Sequence, residues 1–143
     1  MSDYRYVLRP GISPQQVVDL RTAVGWDAAL HLYEQTLGQT FTWAGAFVGD
    51  QLIAYGDVVS DGVADAYIRD LVVHPSHQRR GIGSHLLSLL IEAVRGAGIR
   101  MVNTVFEPEL TAFYRRAGFH IVSGGLLDLD PPAASGASST GGG

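Results

Sequence analysis

The sequence predicts a mixed α/β (α+β) domain, and three observations carry that prediction. Apolar residues recur at helical spacing in some stretches and run in β-branched or alternating patterns in others. A turn signal separates nearly every pair of such stretches. One strand-helix-strand run, residues 66–106, has the length of a crossover and so supplies a parallel pairing within a sheet of hairpins. With 143 residues, 46% of them apolar and 17% charged, the chain has ordinary globular composition and one core is expected.

The elements follow in order. Residues 4–8 alternate and stop at Pro10-Gly11, a strand closed by a turn. Ser13 then reads as the N-cap of a helix with Pro14 at its first position and Val17, Val18, Leu20 and Val24 on one side. Gly25-Trp26 breaks it. Asp27 is placed to cap a second helix carrying Leu30, Tyr33, Glu34 and Leu37, which Gly38 ends. Residues 40–48 and 51–60 form two strands joined by a tight hairpin at Gly49-Asp50, hence antiparallel neighbours. Residues 66–73 make a central strand stopped at His74-Pro75. The longest helix runs over 82–97, with Ile82, Leu86, Leu89, Leu90, Ala93, Val94 and Ala97 on one stripe. A strand over 100–106, a short helix over 109–116 stopped by Gly118, and a last β pair over 119–122 and 126–129 complete the domain, which is placed at residues 1–130. From Pro131 onward only Pro, Ala, Ser, Thr and Gly remain, a composition expected to form a disordered tail over 131–143.

Composition also narrows function. A formal charge of −4 argues against general attraction to nucleic acid, so any polyanion has to be met locally. The absence of cysteine removes thiolate nucleophiles, disulfides and zinc-thiolate sites. His74 and His77 have no third ligand at a recognisable spacing, so no metal is expected. No apolar run approaches the ~20 residues that span a bilayer, and residues 1–5 lack a signal-peptide pattern, so no membrane association and a cytoplasmic location are expected.

The stretch from Val72 to Ser84 is the informative one: it carries the chain from a buried strand into the start of the longest helix. The first turn of a helix holds unpaired N–H groups and positive partial charge, and Gly81 and Gly83 keep Cβ atoms away from an approaching anion. Arg79 and Arg80 add local charge, which suggests a pyrophosphate ligand. The third glycine of a dinucleotide fingerprint would fall at Leu86, and no Lys-Ser or Lys-Thr follows Gly83, so neither that motif nor a P-loop is present. Taken alone, the turn also fits a glycine-rich connection with solvated arginines.

Three motifs in register go further. Asp70-Leu71-Val72-Val73-His74-Pro75, Gln78-Arg79-Arg80-Gly81-Ile82-Gly83 and Phe113-Tyr114-Arg115-Arg116-Ala117-Gly118-Phe119 follow the order and spacing of the GNAT superfamily of acyl-CoA N-acyltransferases, which the sequence resembles over most of its length. The resemblance implies a GNAT-like single domain whose central mixed, mostly antiparallel sheet is flanked by helices. It implies acetyl-CoA as co-substrate, with the pyrophosphate on the backbone of Gln78, Arg79, Arg80, Gly81, Ile82, Gly83 and Ser84, and the pantetheine arm on main-chain groups of Leu71, Val72 and Val73. Val72 or Val73 would donate an amide to the oxyanion, and Tyr114 would protonate the departing thiolate as catalytic residue. The implied reaction is transfer of acetyl to a primary amine, small-molecule or peptide, by direct attack in a ternary complex. A non-catalytic acyl-CoA sensor on the same fold is the alternative.

Where family members often carry Asn before the final helix, this chain has Glu107 and Pro108. No base stands out: Asp70, Asp57, Tyr67, His74 and Glu107 are the candidates. By the same resemblance Trp26, Tyr33 and Trp43 would shape the acceptor pocket, and the terminal strand pair could support a homodimer.

Overall fold

The structure, a computed structural model, describes residues 3–130. The chain divides after Thr104 into two compact units. The first holds five strands in the order β1-β2-β3-β4-β5, where β1 is Arg5–Leu8, β2 Thr42–Val48, β3 Gln51–Ser60, β4 Asp65–Val73 and β5 Met101–Thr104. All neighbours are antiparallel except β4 and β5, which are parallel and joined through the long helix α3, Ile82–Gly96. The mixed, mostly antiparallel sheet and its single crossover therefore match the expected architecture.

Helix α1, Pro14–Ala23, starts as its sequence predicts. Ser13 Oγ accepts from the Gln16 N–H at 3.2 Å, and Gln16 Oε1 accepts from the Ser13 N–H at 2.8 Å, a reciprocal capping box with Pro14 at the first position. The second helix departs from expectation: α2 is Leu30–Thr36, preceded by Ala29 in the left-handed region, and Asp27 caps nothing. Its carboxylate and carbonyl instead receive the Arg21 guanidinium at 2.7 and 2.9 Å.

Strand alternation places helices on both faces. Val17, Val18 and Leu20 of α1 and Tyr33 of α2 form one core with Phe47, Leu52, Tyr55 and Val72 of the sheet. The next residue, Gly56, faces the other way: a Cβ built there would lie 3.1 Å from the Leu90 side chain of α3 and 3.0 Å from that of Leu71. Helix α3 fills that face with Ile82, Leu86, Leu87, Leu90 and Val94, each at most 1% exposed. Gly56→Val is thus expected to overpack this layer and destabilise the protein by about 1–3 kcal/mol, which a thermal melt would register as a lowered Tm.

One irregularity shapes the site. Between β3 and β4 the pairs Tyr55↔Val72 and Asp57↔Arg69 enclose one residue on β3 but two on β4, and Asp70 takes φ 57° there. This β-bulge interrupts the alternation, so Arg69, Asp70 and Val72 all serve the α1/α2 face while Leu71 turns toward α3.

The second unit begins at Val105. Its 3-10 turn, Pro108–Leu110, leads into α4, Thr111–Arg116, and Gly118 follows with φ 101°. The β pair expected over 119–122 and 126–129 does not form: no strand is present there, and Val122, Leu126, Leu127 and Leu129 are 66–89% exposed. A short hairpin has too few cross-strand contacts to hold itself without a paired neighbour, whatever its composition. The strand expected over 100–106 is likewise shorter, ending at Thr104. The tail expected at 131–143 lies outside the described residues. Among the described residues, no helix is long and apolar enough to cross a membrane.

Candidate active site

The turn into α3 opens the helix without a side-chain cap. Arg79 and Gly81 both adopt left-handed backbone, φ 65° and 79°. Gly81 is the N-cap, no side chain caps the helix, and the first helical hydrogen bond is from His85 N–H to the Gly81 carbonyl at 3.1 Å. The N–H groups of Ile82, Gly83 and Ser84 therefore have no acceptor within the helix. Ile82 anchors the turn with a side chain only 1% exposed, while Arg79, Arg80, Gly81 and Ser84 are exposed. A Cβ at Gly81 would meet nothing within 4 Å, so what requires glycine there is the backbone hand, and the space above it is open.

Strand β4 approaches the same turn. Its pairing with β5 covers Asp65 to Ile68 only, so Arg69–Val73 run past the end of that ladder. His74 donates its N–H to the Ile53 carbonyl at 2.8 Å, which makes His74–Ile53 a hydrogen-bonded pair and the preceding pair Val73–Ala54 a non-bonded one. The Val73 N–H and C=O consequently point away from β3, toward the side where β5 has ended. Gln78 Nε2 donates to that carbonyl at 3.0 Å and ties the turn back to the strand. Val72 is buried in the α1/α2 core and presents its amide toward β3, whereas Leu71 packs on the α3 side. Leu71, Val73 and the residues Gln78 to Ser84 are thus gathered along one strand-to-helix passage.

On the α1/α2 face the bulge builds a connected polar cluster. Asp57, 1% exposed, receives Arg69 Nε at 2.9 Å, Arg69 Nη2 at 3.2 Å and the Tyr55 hydroxyl at 2.9 Å. Burial pushes the Asp57 carboxyl up from its ordinary value, against the opposing pull of Arg69. Asp70 receives Arg21 Nη1 at 3.2 Å and a short hydrogen bond from the Tyr33 hydroxyl. Burial, then the Asp70 charge, raises the Tyr33 phenol well above its ordinary value, and burial with Asp57 does the same to Tyr55. No buried side-chain polar atom in the described residues lacks a partner.

The other base candidates are placed as follows. Tyr67 is half-buried, its phenol raised by burial and then by Asp70. His74 Nδ1 accepts the Ser76 N–H at 3.1 Å, and Glu107 is exposed. Tyr33 and Trp43 line one open cleft of about 310 Å³ together with Pro10, Ile12 and Leu37. Trp26 instead packs beside the core with the Arg21 guanidinium 5.2 Å above its ring. In the second unit Tyr114 is 5% exposed, stacked on Phe106 at 4.4 Å and edge-on to Phe113 and Phe119 at 4.9 and 5.4 Å. Among the described residues, no group of three or more His, Cys, Asp or Glu is placed to hold a metal ion.

Sequence reasoning missed Arg21, which holds Asp27, Tyr33 and Asp70 together; the available signal was a single basic residue beside Leu20 on an otherwise apolar helix face. It also missed Tyr4, whose hydroxyl lies 2.9 Å from His77 Nδ1 and accepts from Arg80 Nη1 at 3.0 Å, a contact between residues 76 positions apart that local pattern does not reveal.

Comparison with known proteins bears on these features. The model of the acetyltransferase (GNAT) family matches residues 19–119. Serotonin N-acetyltransferase 2, chloroplastic, of Oryza sativa subsp. japonica is 36% identical over 67 residues, 47% of this chain and 34% of that one. The chain spans between 34% and 40% of the length of the curated relatives it matches first. Among solved structures, a GNAT-family acetyltransferase from Streptococcus pneumoniae TIGR4 is 26% identical with a TM-score of 0.74, over 91% of this chain and 100% of that one. An aminoglycoside N-acetyltransferase in complex with CoA shares the fold, with TM-score 0.67 and 16% identity over 91% and 96% of the two chains.

Proposed function

Because the chain belongs to the GNAT family of acetyltransferases, we propose that it transfers an acetyl group from acetyl-CoA to a primary amine by direct attack in a ternary complex. The observation that carries this reading is the uncapped start of α3 behind left-handed Gly81, an open row of amide donors of the kind a pyrophosphate requires. That a protein of the same fold holds CoA supports it further.

In this reading Gln78, Arg79, Arg80, Gly81, Ile82, Gly83 and Ser84 hold the pyrophosphate, and the pantetheine arm lies along Leu71, Val72 and Val73. The amine lone pair attacks the thioester carbon, and negative charge grows on the carbonyl oxygen. Of the two amides considered for that charge, Val73 is favoured because its N–H points away from β3. The carbon–sulfur bond then breaks and the thiolate takes a proton from Tyr114. A phenol of reference pKa ~10 aids a thiol of pKa ~8.5 late in collapse. Asp70, held by Arg21 and Tyr33, is the candidate to receive the proton the amine loses. The acceptor is a small molecule or a peptide amine.

Isothermal titration with acetyl-CoA, followed by thiol release across a panel of amines, tests this. Tyr114→Phe is expected to leave acetyl-CoA affinity within about two-fold while slowing turnover by about 100-fold. Failure of every acyl-CoA to bind the wild-type protein would sink the reading; unchanged turnover in Tyr114→Phe would remove only that residue's role.

A further inference from the structure

Two residues of the N-terminal segment reach the turn that opens α3. Tyr4 and Tyr6 alternate with Arg5 and project toward the same layer. Tyr6 stacks on His85 of α3 with ring centroids 3.7 Å apart and planes 5° from parallel. Tyr4 meets the turn itself: its ring is edge-on to His77 at 5.6 Å, its hydroxyl is 2.9 Å from His77 Nδ1, and Arg80 Nη1 donates to it at 3.0 Å.

The direction of these hydrogen bonds follows from chemistry. A guanidinium has only donors, so Tyr4 Oη accepts from Arg80 and its one hydrogen is left for His77 Nδ1, with His77 as the neutral Nε2–H tautomer. Partial burial and the charge of Arg80 push His77 down from its ordinary value, which favours that neutral ring. The chain Arg80 to Tyr4 to His77 thus closes on the 3-10 turn Pro75–His77, which precedes the anion-binding amides. One edge of the Arg80 fork is engaged and the rest faces outward, since Arg80 is exposed.

We propose that Tyr4 is a positioning residue for phosphate binding, its hydroxyl fixing the Arg80 guanidinium over the start of α3 so that Arg80 meets the CoA phosphates already ordered. This rests on the acetyl-CoA reading above. A free arginine loses rotamer entropy when it closes on an anion, and one already held by a hydrogen bond loses less. Tyr4 accordingly acts through Arg80 without touching the ligand.

The test is a double-mutant cycle with Tyr4→Phe and Arg80→Gln, in which affinities for CoA and for phosphate-free pantetheine are measured, with Gly81→Glu alongside. Phe keeps the ring contact with His77, and the Tyr6–His85 stack keeps β1 on α3, so the fold is retained; a thermal melt checks this. Tyr4→Phe is expected to weaken CoA by about five-fold, to leave pantetheine unchanged, and to add nothing once Arg80 is Gln. Wild-type CoA affinity in Tyr4→Phe would overturn the inference, as would equal losses for CoA and pantetheine or additive losses in the double variant. If those outcomes appear while Gly81→Glu still eliminates CoA binding, the acetyl-CoA reading survives and only the role of Tyr4 falls. If CoA does not bind the wild-type protein, both fall together.

Discussion

Gly81→Glu is expected to lower acetyl-CoA affinity by at least about 100-fold, with the protein still folded. Two separable effects add. The first is conformational: φ 79° is left-handed, which costs a non-glycine residue about 1–2 kcal/mol. The second is electrostatic, since a carboxylate would stand at the N-cap of α3, in the proposed pyrophosphate site. Like charges about 5 Å apart at an effective dielectric of about 20 repel by about 3 kcal/mol. Gly81→Ala separates the two, because a Cβ there meets no atom within 4 Å and brings no charge. Calorimetry should therefore find a modest loss for Ala and no measurable binding for Glu. Equal losses would assign the effect to the backbone and remove the support that the open amides lend to a phosphate ligand.

Asp57→Ala is expected to be the most destabilising of these substitutions, at about 3–5 kcal/mol in urea or thermal unfolding. Asp57 is 1% exposed, and its removal would leave the Arg69 guanidinium and the Tyr55 hydroxyl without the acceptor that both use. The cost is mostly the uncompensated charge. Asp57→Leu combined with Arg69→Met should recover the part due to that charge, because both members of the ion pair are removed together, while the Tyr55 hydroxyl still lacks its acceptor. A double variant as unstable as Asp57→Ala would show instead that the loss is one of packing shape.

The parts of this molecule that were legible in the sequence are those set by neighbours along the chain. Ser13 and Pro14 announce a helix start in two consecutive residues, and the helix begins there. Gly49-Asp50 between two β-rich runs announces a hairpin, and the strands pair as expected. The strand-to-helix turn from Gln78 to Ser84 is written in consecutive residues, and the long helix starts at Ile82 where the pattern put it. What escaped depends on distant partners. Asp27 reads as a cap but is claimed by Arg21, which also reaches Asp70, 49 residues away. The bulge at Asp70 has no glycine or proline on its own strand, and its one local sign is Gly56 opposite; the carboxylate it presents is held by Arg21 and Tyr33. The last β pair had the right composition, yet no strand forms there and its leucines remain exposed.

That bulge has a consequence for how the chain tolerates change. A β-strand is a two-phase object in which each position is read as inner or outer by parity, and the extra residue at Asp70 resets parity midway along β4. The half before it and the half after it belong to different frames. Losing one residue here would act like a frameshift in three dimensions: every side chain from Leu71 to His74 would exchange faces, and the outward-pointing Val73 amide would turn into the ladder. The passage into α3 would be delivered half a turn out of phase. A one-residue deletion that a surface loop such as Asp61–Ala64 could absorb would therefore separate the strand from the turn it serves, and length at this point is as much a part of the site as any side chain.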